Sequence, residues 1–153
     1  MQTDTITARE QEIIDAFSMY DDWMGKYAYL IELGRGLPLI EDVYKTEDYR
    51  IHDCQVQVWL WAEFRDGKVF YKADSNALLT KGLLAMLVRM LSGQPPAEVT
   101  RADLGFLDRI GLKEHLPFVR KNGLGAFAQM KHYARAFEKI DETAASGSSV
   151  LGR

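Results

Sequence analysis

The sequence predicts an α+β fold, in which a small antiparallel sheet of about three strands packs against helices from both ends of the chain. Apolar residues first recur at helical spacing, a strongly alternating segment follows, and helical spacing then returns. This order differs from the strand–helix–strand alternation that builds parallel sheets. The 153 residues fit one domain with one core. We expect residues 1–6 to be frayed, residues 7–140 to form the domain and residues 141–153 to be a disordered tail.

The N-terminal part of the chain predicts two helices. Thr7 and Glu10 have the spacing of a capping box, in which each side chain satisfies a free backbone N–H. A second helix is expected over residues 23–33, because the glycines and the proline of residues 34–38 are a stop signal. Residues 37–53 lack periodicity, which indicates an irregular connection.

The clearest strand signal is the alternation of apolar and other residues over residues 55–64. Asp66 and Gly67 follow, and this pair favours the type I′ turn, whose two central residues both have positive φ. A return strand is expected over residues 69–73. Together these segments predict a β-hairpin.

The C-terminal half predicts three further helical segments. The apolar spacing indicates a helix over residues 79–90, with candidate caps at residues 74–76. A short helix is expected over residues 103–110, then a loop over residues 112–122. The last helix is expected over residues 124–140.

Composition excludes several classes of function. The net charge is −3 and there is no basic block, which argues against a nucleic-acid partner. The longest apolar stretch, residues 83–88, is far shorter than a membrane span. The absence of a signal peptide and the single cysteine favour a reducing, cytoplasmic setting. Neither a zinc-ligand spacing nor a phosphate-binding loop is present, so we expect no metal and no cofactor.

Cys54 is the only cysteine in the chain, so it cannot form an internal disulfide. A lone cysteine is most often a small buried hydrophobe. Here, however, it lies where a polar loop meets a strand, and alternation places it on the core face with Val56. Arg50 and His52 would favour a thiolate and Asp53 would oppose it, so the net direction is open.

Two further sets of residues are candidates for chemistry. A thiol hydrolase would need a base near Cys54, and the histidines are His52, His115 and His132. Arg120 lies in a basic segment that has two interpretations. The segment is a solvated loop capped by Asn122, or the Arg120 guanidinium neutralises an anionic sulfur or a partner carboxylate.

Two tryptophans of the alternating strand, Trp59 and Trp61, point away from the Cys54 face. We expect flanking helices to cover them. If they were uncovered, they would form an apolar patch suited to a protein partner.

The sequence around these residues resembles the SufE/CsdE sulfur-acceptor proteins of iron–sulfur cluster assembly. The resemblance covers about residues 10–138, in order, and rests on four segments: residues 26–38, residues 52–60, residues 73–83 and residues 114–124. It implies a SufE/IscU-like fold. A cluster scaffold of the IscU type needs three cysteines, which excludes that role for one chain alone.

The resemblance also implies a function. Cys54 would accept a persulfide sulfur from a PLP-dependent cysteine desulfurase of the SufS or CsdA type, stimulate it, and pass the sulfur to a cluster scaffold. The PLP belongs to the partner, and such proteins are monomers or weak dimers. Arg120 maps onto the basic residue of the family, and His52 is a further candidate. The alternatives are a docking module that regulates the desulfurase without transfer, and a thiol hydrolase.

The chain departs from the family pattern beside the cysteine. Asp53 replaces a usual Gly, and Val56 replaces a usual Ser. Residues 116–119 replace a Ser/Pro-rich lead into the Arg120 segment. These changes surround the reactive position, whereas the segments that define the fold are kept.

Overall fold

The computed structural model of the chain describes residues 4–52 and 56–145. Within them, an antiparallel hairpin lies between two N-terminal helices and five later ones, which confirms the α+β prediction. The elements are α1 (Ile6–Ser18), α2 (Trp23–Arg35), β1 (Val58–Arg65), β2 (Lys68–Ser75), α3 (Leu78–Leu91), α4 (Pro96–Arg101), α5 (Gly105–Arg109), α6 (Leu112–His115) and α7 (Pro117–Ala145). Across these described ranges, no helix is long and apolar enough to cross a bilayer.

The hairpin turns at the predicted pair of residues. Asp66 and Gly67 have φ values of 56° and 77°, as a type I′ turn requires. The strands pair in register from Val58 opposite Ser75 to Arg65 opposite Lys68.

The described part of the sheet has two strands rather than about three. The connection before it contributes only isolated bridges, Leu39 to Ala73 and Arg50 to Trp59. Two short 3₁₀ turns, Asp42–Tyr44 and Glu47–Tyr49, separate these bridging residues. The connection therefore cannot run extended along a sheet edge.

Helix α3 forms the centre of the core. Ten of its fourteen residues are buried, far more than the single face that a surface helix buries. Helices α1, α2 and α7 and strand β2 all pack against it. Gly34 of α2 and Gly82 of α3 lie where these two helices cross, so the backbones approach closely.

Two predicted helix caps were wrong. Thr5, not Thr7, caps α1, and its Oγ1 accepts a hydrogen bond from Ala8 N at 3.1 Å. Residues 74–76 were expected to cap the helix that follows the hairpin, but α3 has Ala77 at its N-cap position and no side-chain cap. The polar side chains before α3 are instead used in tertiary contacts, which local patterns do not reveal.

The loop expected over residues 112–122 is largely helical. Gly111, with φ of 88°, separates α5 from the single turn of α6, and α7 then begins at Pro117. Proline suits a first helical turn because its missing N–H would have no partner there. Arg120 therefore lies in the first turns of α7 rather than in a loop.

The interpretation of Asn122 as the cap of a solvated loop around Arg120 was wrong. Asn122 is 3% exposed, and its Nδ2 donates to Thr80 Oγ1 of α3 at 3.2 Å.

The ends of the described chain are helical. Ile6 begins α1, inside the segment expected to be frayed, and α7 continues to Ala145, five residues past the expected end of the domain at residue 140. Residues 1–3 and 146–153 lie outside the described residues, so the division into frayed end, domain and tail stays a prediction.

The tryptophans of β1 are half-buried, and their ring contacts come from β2 and from the connection before the hairpin. Lys45 Nζ lies 5.6 Å from the ring centroid of Trp59, and Lys72 Nζ lies 5.1 Å from that of Trp61. Tyr44, in the connection before the hairpin, packs against Trp61 at 6.1 Å. Lysine stems and an aromatic side chain therefore shield these indole rings.

Candidate functional site

Cys54, the main candidate from the sequence, lies outside the described residues together with Asp53 and Gln55. The residues on both sides of this gap are described. The N–H of Ile51 donates to the carbonyl of Val58 at 2.8 Å. This hydrogen bond closes the base of the segment from residue 52 to residue 57, which we call the Cys54 loop.

The second end of the Cys54 loop is anchored by Gln57. Its N–H donates to Asn76 Oδ1 at 3.2 Å, and its side-chain Oε1 accepts from Asn76 Nδ2 at 3.1 Å. Its carbonyl accepts from Ser75 Oγ at 2.7 Å and from the Asn76 N–H at 3.3 Å. The strand end at β2 thus holds the residue that leads into β1, which limits how far the base of the loop can move.

An apolar cavity of about 530 Å³ adjoins the Cys54 loop at Val56. It lies between α2, the start of α3 and the start of α7. Two apolar side chains beside it are largely exposed, Leu78 at 64% and Phe118 at 66%. The residues that line it are Tyr27, Ile31, Val56, Ala77, Leu78, Leu79, Thr80, Phe118, Val119 and Asn122. A cavity of this composition favours an apolar or weakly polar group over a charged one.

A polar cavity of about 620 Å³ adjoins the other end of the Cys54 loop at His52. It lies between the connection before the hairpin and the middle of α7. The residues that line it are Glu47, Asp48, Arg50, Ile51, His52, Gly125, Ala128, Gln129, His132 and Arg135. The loop that carries the single thiol therefore has an apolar cavity at one end and a charged cavity at the other.

The structure does not bring His52 and Arg120 together. His52 is exposed and lies 3.6 Å from Glu47 Oε1. Arg120 Nε donates to Asp108 Oδ1 at 2.8 Å, and a second contact joins Nη2 to Oδ2 at 3.4 Å. Among the contacts of the described residues, none joins His52 to Arg120.

The remaining histidines lie in different surroundings. His115 stacks on Trp23, with ring centroids 4.2 Å apart and planes 21° from parallel. His132 is exposed on α7 and lines the polar cavity, as His52 does.

A buried carboxylate fixes the strand end beside the loop. Asp74 is 7% exposed and forms ion pairs with Lys45 Nζ at 2.6 Å and Lys81 Nζ at 3.5 Å. Burial by itself raises the pKa of Asp74, but the hydrogen bonds from Lys45 and the Ser75 N–H, together with the two ammonium charges, outweigh it and lower that pKa. Asp74 is thus held as a carboxylate that ties the connection and α3 to β2.

The sequence analysis did not assign several residues to the roles that they have at this site. Asn76 and Asp74 read as helix caps, although they anchor the loop and the strand. The basic residues of α7 at residues 121, 132 and 135 share one helix face, and their spacing was the available signal. In the part of the chain that the structure describes, no three His, Cys, Asp or Glu side chains are grouped to hold a metal ion.

Comparisons with known proteins point to one family. Residues 11–134 match the family model described as SufE, an Fe-S metabolism associated domain. An uncharacterised SufE-like protein of Rhizobium meliloti is 37% identical over 118 residues, which is 74% of this chain and 84% of that protein. The sulfur acceptor protein CsdE of Escherichia coli is 32% identical over 127 residues, 82% of this chain and 85% of that protein.

A plant relative and a solved structure extend this result. SufE-like protein 1 of Arabidopsis thaliana, named as chloroplastic/mitochondrial, is 37% identical over 142 residues, which is 91% of this chain but 38% of that longer protein. The solution structure of a hypothetical protein from Thermus thermophilus matches the fold with a TM-score of 0.70 at 21% identity, covering 84% of this chain and 94% of the other.

Proposed function

The chain belongs to the SufE family, and on that basis we propose that it accepts sulfur on Cys54 from the persulfide of a cysteine desulfurase. The acceptor thiolate attacks the outer sulfur of the desulfurase persulfide. The sulfur–sulfur bond breaks, the desulfurase cysteine leaves as a thiolate, and the persulfide then resides on Cys54. The PLP that generates this sulfur belongs to the desulfurase. A reducing, cytoplasmic compartment would keep the acceptor thiol free.

One observation carries this proposal. The described residues that flank the only cysteine of the sequence are anchored at Ile51, Val58 and Gln57, and two of them, His52 and Val56, border cavities of opposite character. Reactive residues are typically placed on loops that a rigid scaffold positions. A cysteine with only a packing role would not need its flanking residues to be anchored in this way.

The apolar cavity supports a second part of the proposal. Val56 lines this cavity, and Cys54 precedes it by two residues in the sequence. An acceptor thiol withdrawn from water on that side would protect a persulfide from small thiols, and the partner would expose it on docking. We expect slow alkylation of Cys54 in the free chain and faster alkylation with the desulfurase bound. Equal alkylation rates in the two states would contradict this protection.

The experiment that tests sulfur acceptance is intact mass spectrometry after mixing the chain with a cysteine desulfurase and cysteine. We expect a mass gain of one sulfur atom that is lost on reduction. The gain should be absent in Cys54→Ser, a variant expected to keep the fold because it changes one atom. A Cys54→Ser variant that still gained sulfur would overturn the proposal, as would an unmodified wild-type chain that leaves desulfurase turnover unchanged.

A second candidate function is suggested by the residues beside the cysteine. Asp53 and Val56 stand where the family usually has Gly and Ser, and Val56 adds an apolar side chain to the cavity. These changes fit a docking module that regulates a desulfurase without taking its sulfur. That function predicts no mass gain on the chain, together with stimulation of the desulfurase that survives Cys54→Ser.

A further inference from the structure

One long stretch of α7 carries basic residues and no acidic ones. The chain has a net charge of −3. Residues 117–137 of α7 nevertheless contain four Lys or Arg residues, one His and no Asp or Glu. These basic residues are Arg120, Lys121, Lys131, His132 and Arg135.

Two of these side chains are engaged inside the fold. Arg120 pairs with Asp108, and Lys131 Nζ donates to the Ala102 carbonyl at 3.0 Å. The other three differ. Within residues 4–52 and 56–145, the structure gives the exposed side chains of Lys121, His132 and Arg135 no hydrogen bond or ion pair.

These three residues form one line along α7, which we call the basic stripe. At 3.6 residues per turn, residues 121, 132 and 135 lie within about 40° of a common helix face. Gly125 and Ala128 occupy the same face between them, and their small side chains leave a groove. The polar cavity is this groove closed on one side by the connection before the hairpin.

The wall opposite the basic stripe adds charges of both signs. Glu47 contacts two basic side chains of this wall, with Oε2 at 3.5 Å from Arg50 Nη1 and Oε1 at 3.6 Å from His52 Nε2. Asp48 is the second carboxylate that lines the cavity. Arg50 Nε is buried and has no hydrogen-bond partner among the described residues. Within the cavity Arg50 and Arg135 balance the two carboxylates, Glu47 and Asp48. Lys121, on the same face of α7 but outside the cavity, adds a positive charge that no carboxylate of this wall offsets.

We propose that the basic stripe docks an acidic surface segment of the cysteine desulfurase. This inference rests on the proposed function. His52 lies in the polar cavity and only two residues before Cys54, so a protein that brings its persulfide to Cys54 also covers this cavity. Opposite charges at such a contact raise the rate of encounter and fix the orientation of the partner.

The test is desulfurase turnover measured against the concentration of this chain, at low and at moderate salt. The test variant is Lys121→Glu combined with Arg135→Glu. Lys68→Glu combined with Arg65→Glu is the matched control for two charge reversals, because both residues are exposed beside the hairpin turn, at the end of the sheet away from the Cys54 loop. We expect the test variant to raise the half-saturating concentration about tenfold and to flatten its salt dependence, as loss of close charge pairs does.

The outcomes separate the docking proposal from the proposed function. Equal half-saturating concentrations for the test variant and the Arg65→Glu, Lys68→Glu control would overturn the docking proposal. If the wild-type chain still gains sulfur on Cys54 in that case, the proposed function stands. If the wild-type chain neither gains sulfur nor raises turnover, both proposals fail. Thermal unfolding of each variant establishes that the charge changes leave the fold intact.

Discussion

The side chain of Asn76 forms hydrogen bonds with both the backbone and the side chain of Gln57. Asn76 Oδ1 accepts from Gln57 N at 3.2 Å, and Asn76 Nδ2 donates to Gln57 Oε1 at 3.1 Å. The two residues are 19 positions apart, and Gln57 ends the Cys54 loop. The end of one strand thereby fixes the start of the other, at the point where the loop joins the sheet.

Removing the Asn76 side chain should increase local opening at Gln57 more than it lowers the stability of the fold. We expect Asn76→Ala to lower the free energy of unfolding by only about 1 kcal/mol, because the lost hydrogen bonds are exposed. The amide of Gln57 should nevertheless exchange with solvent several-fold faster, since its acceptor is gone. Hydrogen exchange followed by NMR measures this directly.

The control for Asn76→Ala is Gln11→Ala on α1. This substitution also removes an exposed side-chain amide, whose Nε2 donates to Asp15 at 2.8 Å, but at a site away from the loop. Equal exchange rates of the Gln57 amide in the two variants would show that Asn76 does not anchor the loop.

The crossing of α2 and α3 should not tolerate a methyl group. A Cβ on Gly82 would overlap the carbonyl oxygen of Leu30, and the conflict is with backbone that cannot rotate away. We expect Gly82→Ala to destabilise the fold by about 1–3 kcal/mol, as overpacking does, in spite of the better helix propensity of Ala. Denaturant unfolding measures the change.

Gly36→Ala is the matched control for Gly82→Ala. Gly36 follows α2 with φ of −94°, and an added Cβ would meet only the Leu33 carbonyl at 3.6 Å, an ordinary contact. We expect this variant to be as stable as wild type or slightly more stable. A loss of stability equal to that of Gly82→Ala would rule out the helix crossing as the cause.

Asp74 should give the fold a specific sensitivity to acid. Its pKa in the fold is lowered, so its contribution is fully present above the unfolded pKa of about 3.9 and is lost as pH falls through the lower folded value. We expect Asp74→Asn to cost about 2 kcal/mol at neutral pH, in the range of hydrogen bonds to charged groups. The difference from wild type should shrink as pH falls below about 4.

Urea unfolding of both proteins across this pH range tests the argument. Asp21→Asn, a change at an exposed acid between α1 and α2, is the control and should track wild type throughout. If the stability difference between wild type and Asp74→Asn were the same at every pH, ionisation of Asp74 would not be its source.

Local patterns predicted the elements whose causes are local. The pair Asp66 and Gly67 determined the hairpin turn, because positive φ at both residues is a property of those two residues alone. The start of α7 at Pro117 was missed because proline signals both the end of one helix and the beginning of the next.

The contacts of the candidate site were not accessible in this way. Asn122 pairs with Thr80 across 42 positions, and Asp74 pairs with Lys45 across the connection and the hairpin. Residues of these types favour caps and turns when read locally, so the sequence alone assigned several of them to such roles. Their tertiary partners follow only from the packing of α3 against its neighbours.

Arg120 provides the last test, because its ion pair conflicts with its expected role. The guanidinium is bound to Asp108, so in the free chain its charge is already neutralised. Asp108 engages Nε and Nη2, so this two-donor edge of the guanidinium can bind an anionic persulfide only if Arg120 leaves Asp108 when the partner docks. We therefore expect Arg120→Ala to slow sulfur acceptance by Cys54 about tenfold or more, whereas Asp108→Ala should keep or raise the rate by releasing the guanidinium.

The double variant completes the cycle for Arg120 and Asp108. If Arg120 contacts the sulfur, Arg120→Ala and the double variant should be equally slow, because Asp108 matters only through Arg120. If the pair only holds α5 against α7, both single variants should lose similar stability and both should accept sulfur at the wild-type rate. Rapid-quench mass measurement of the Cys54 persulfide gives the rate of sulfur acceptance, and unfolding curves give the stability of all four proteins. A structural role would change the stability, whereas a chemical role would change the rate.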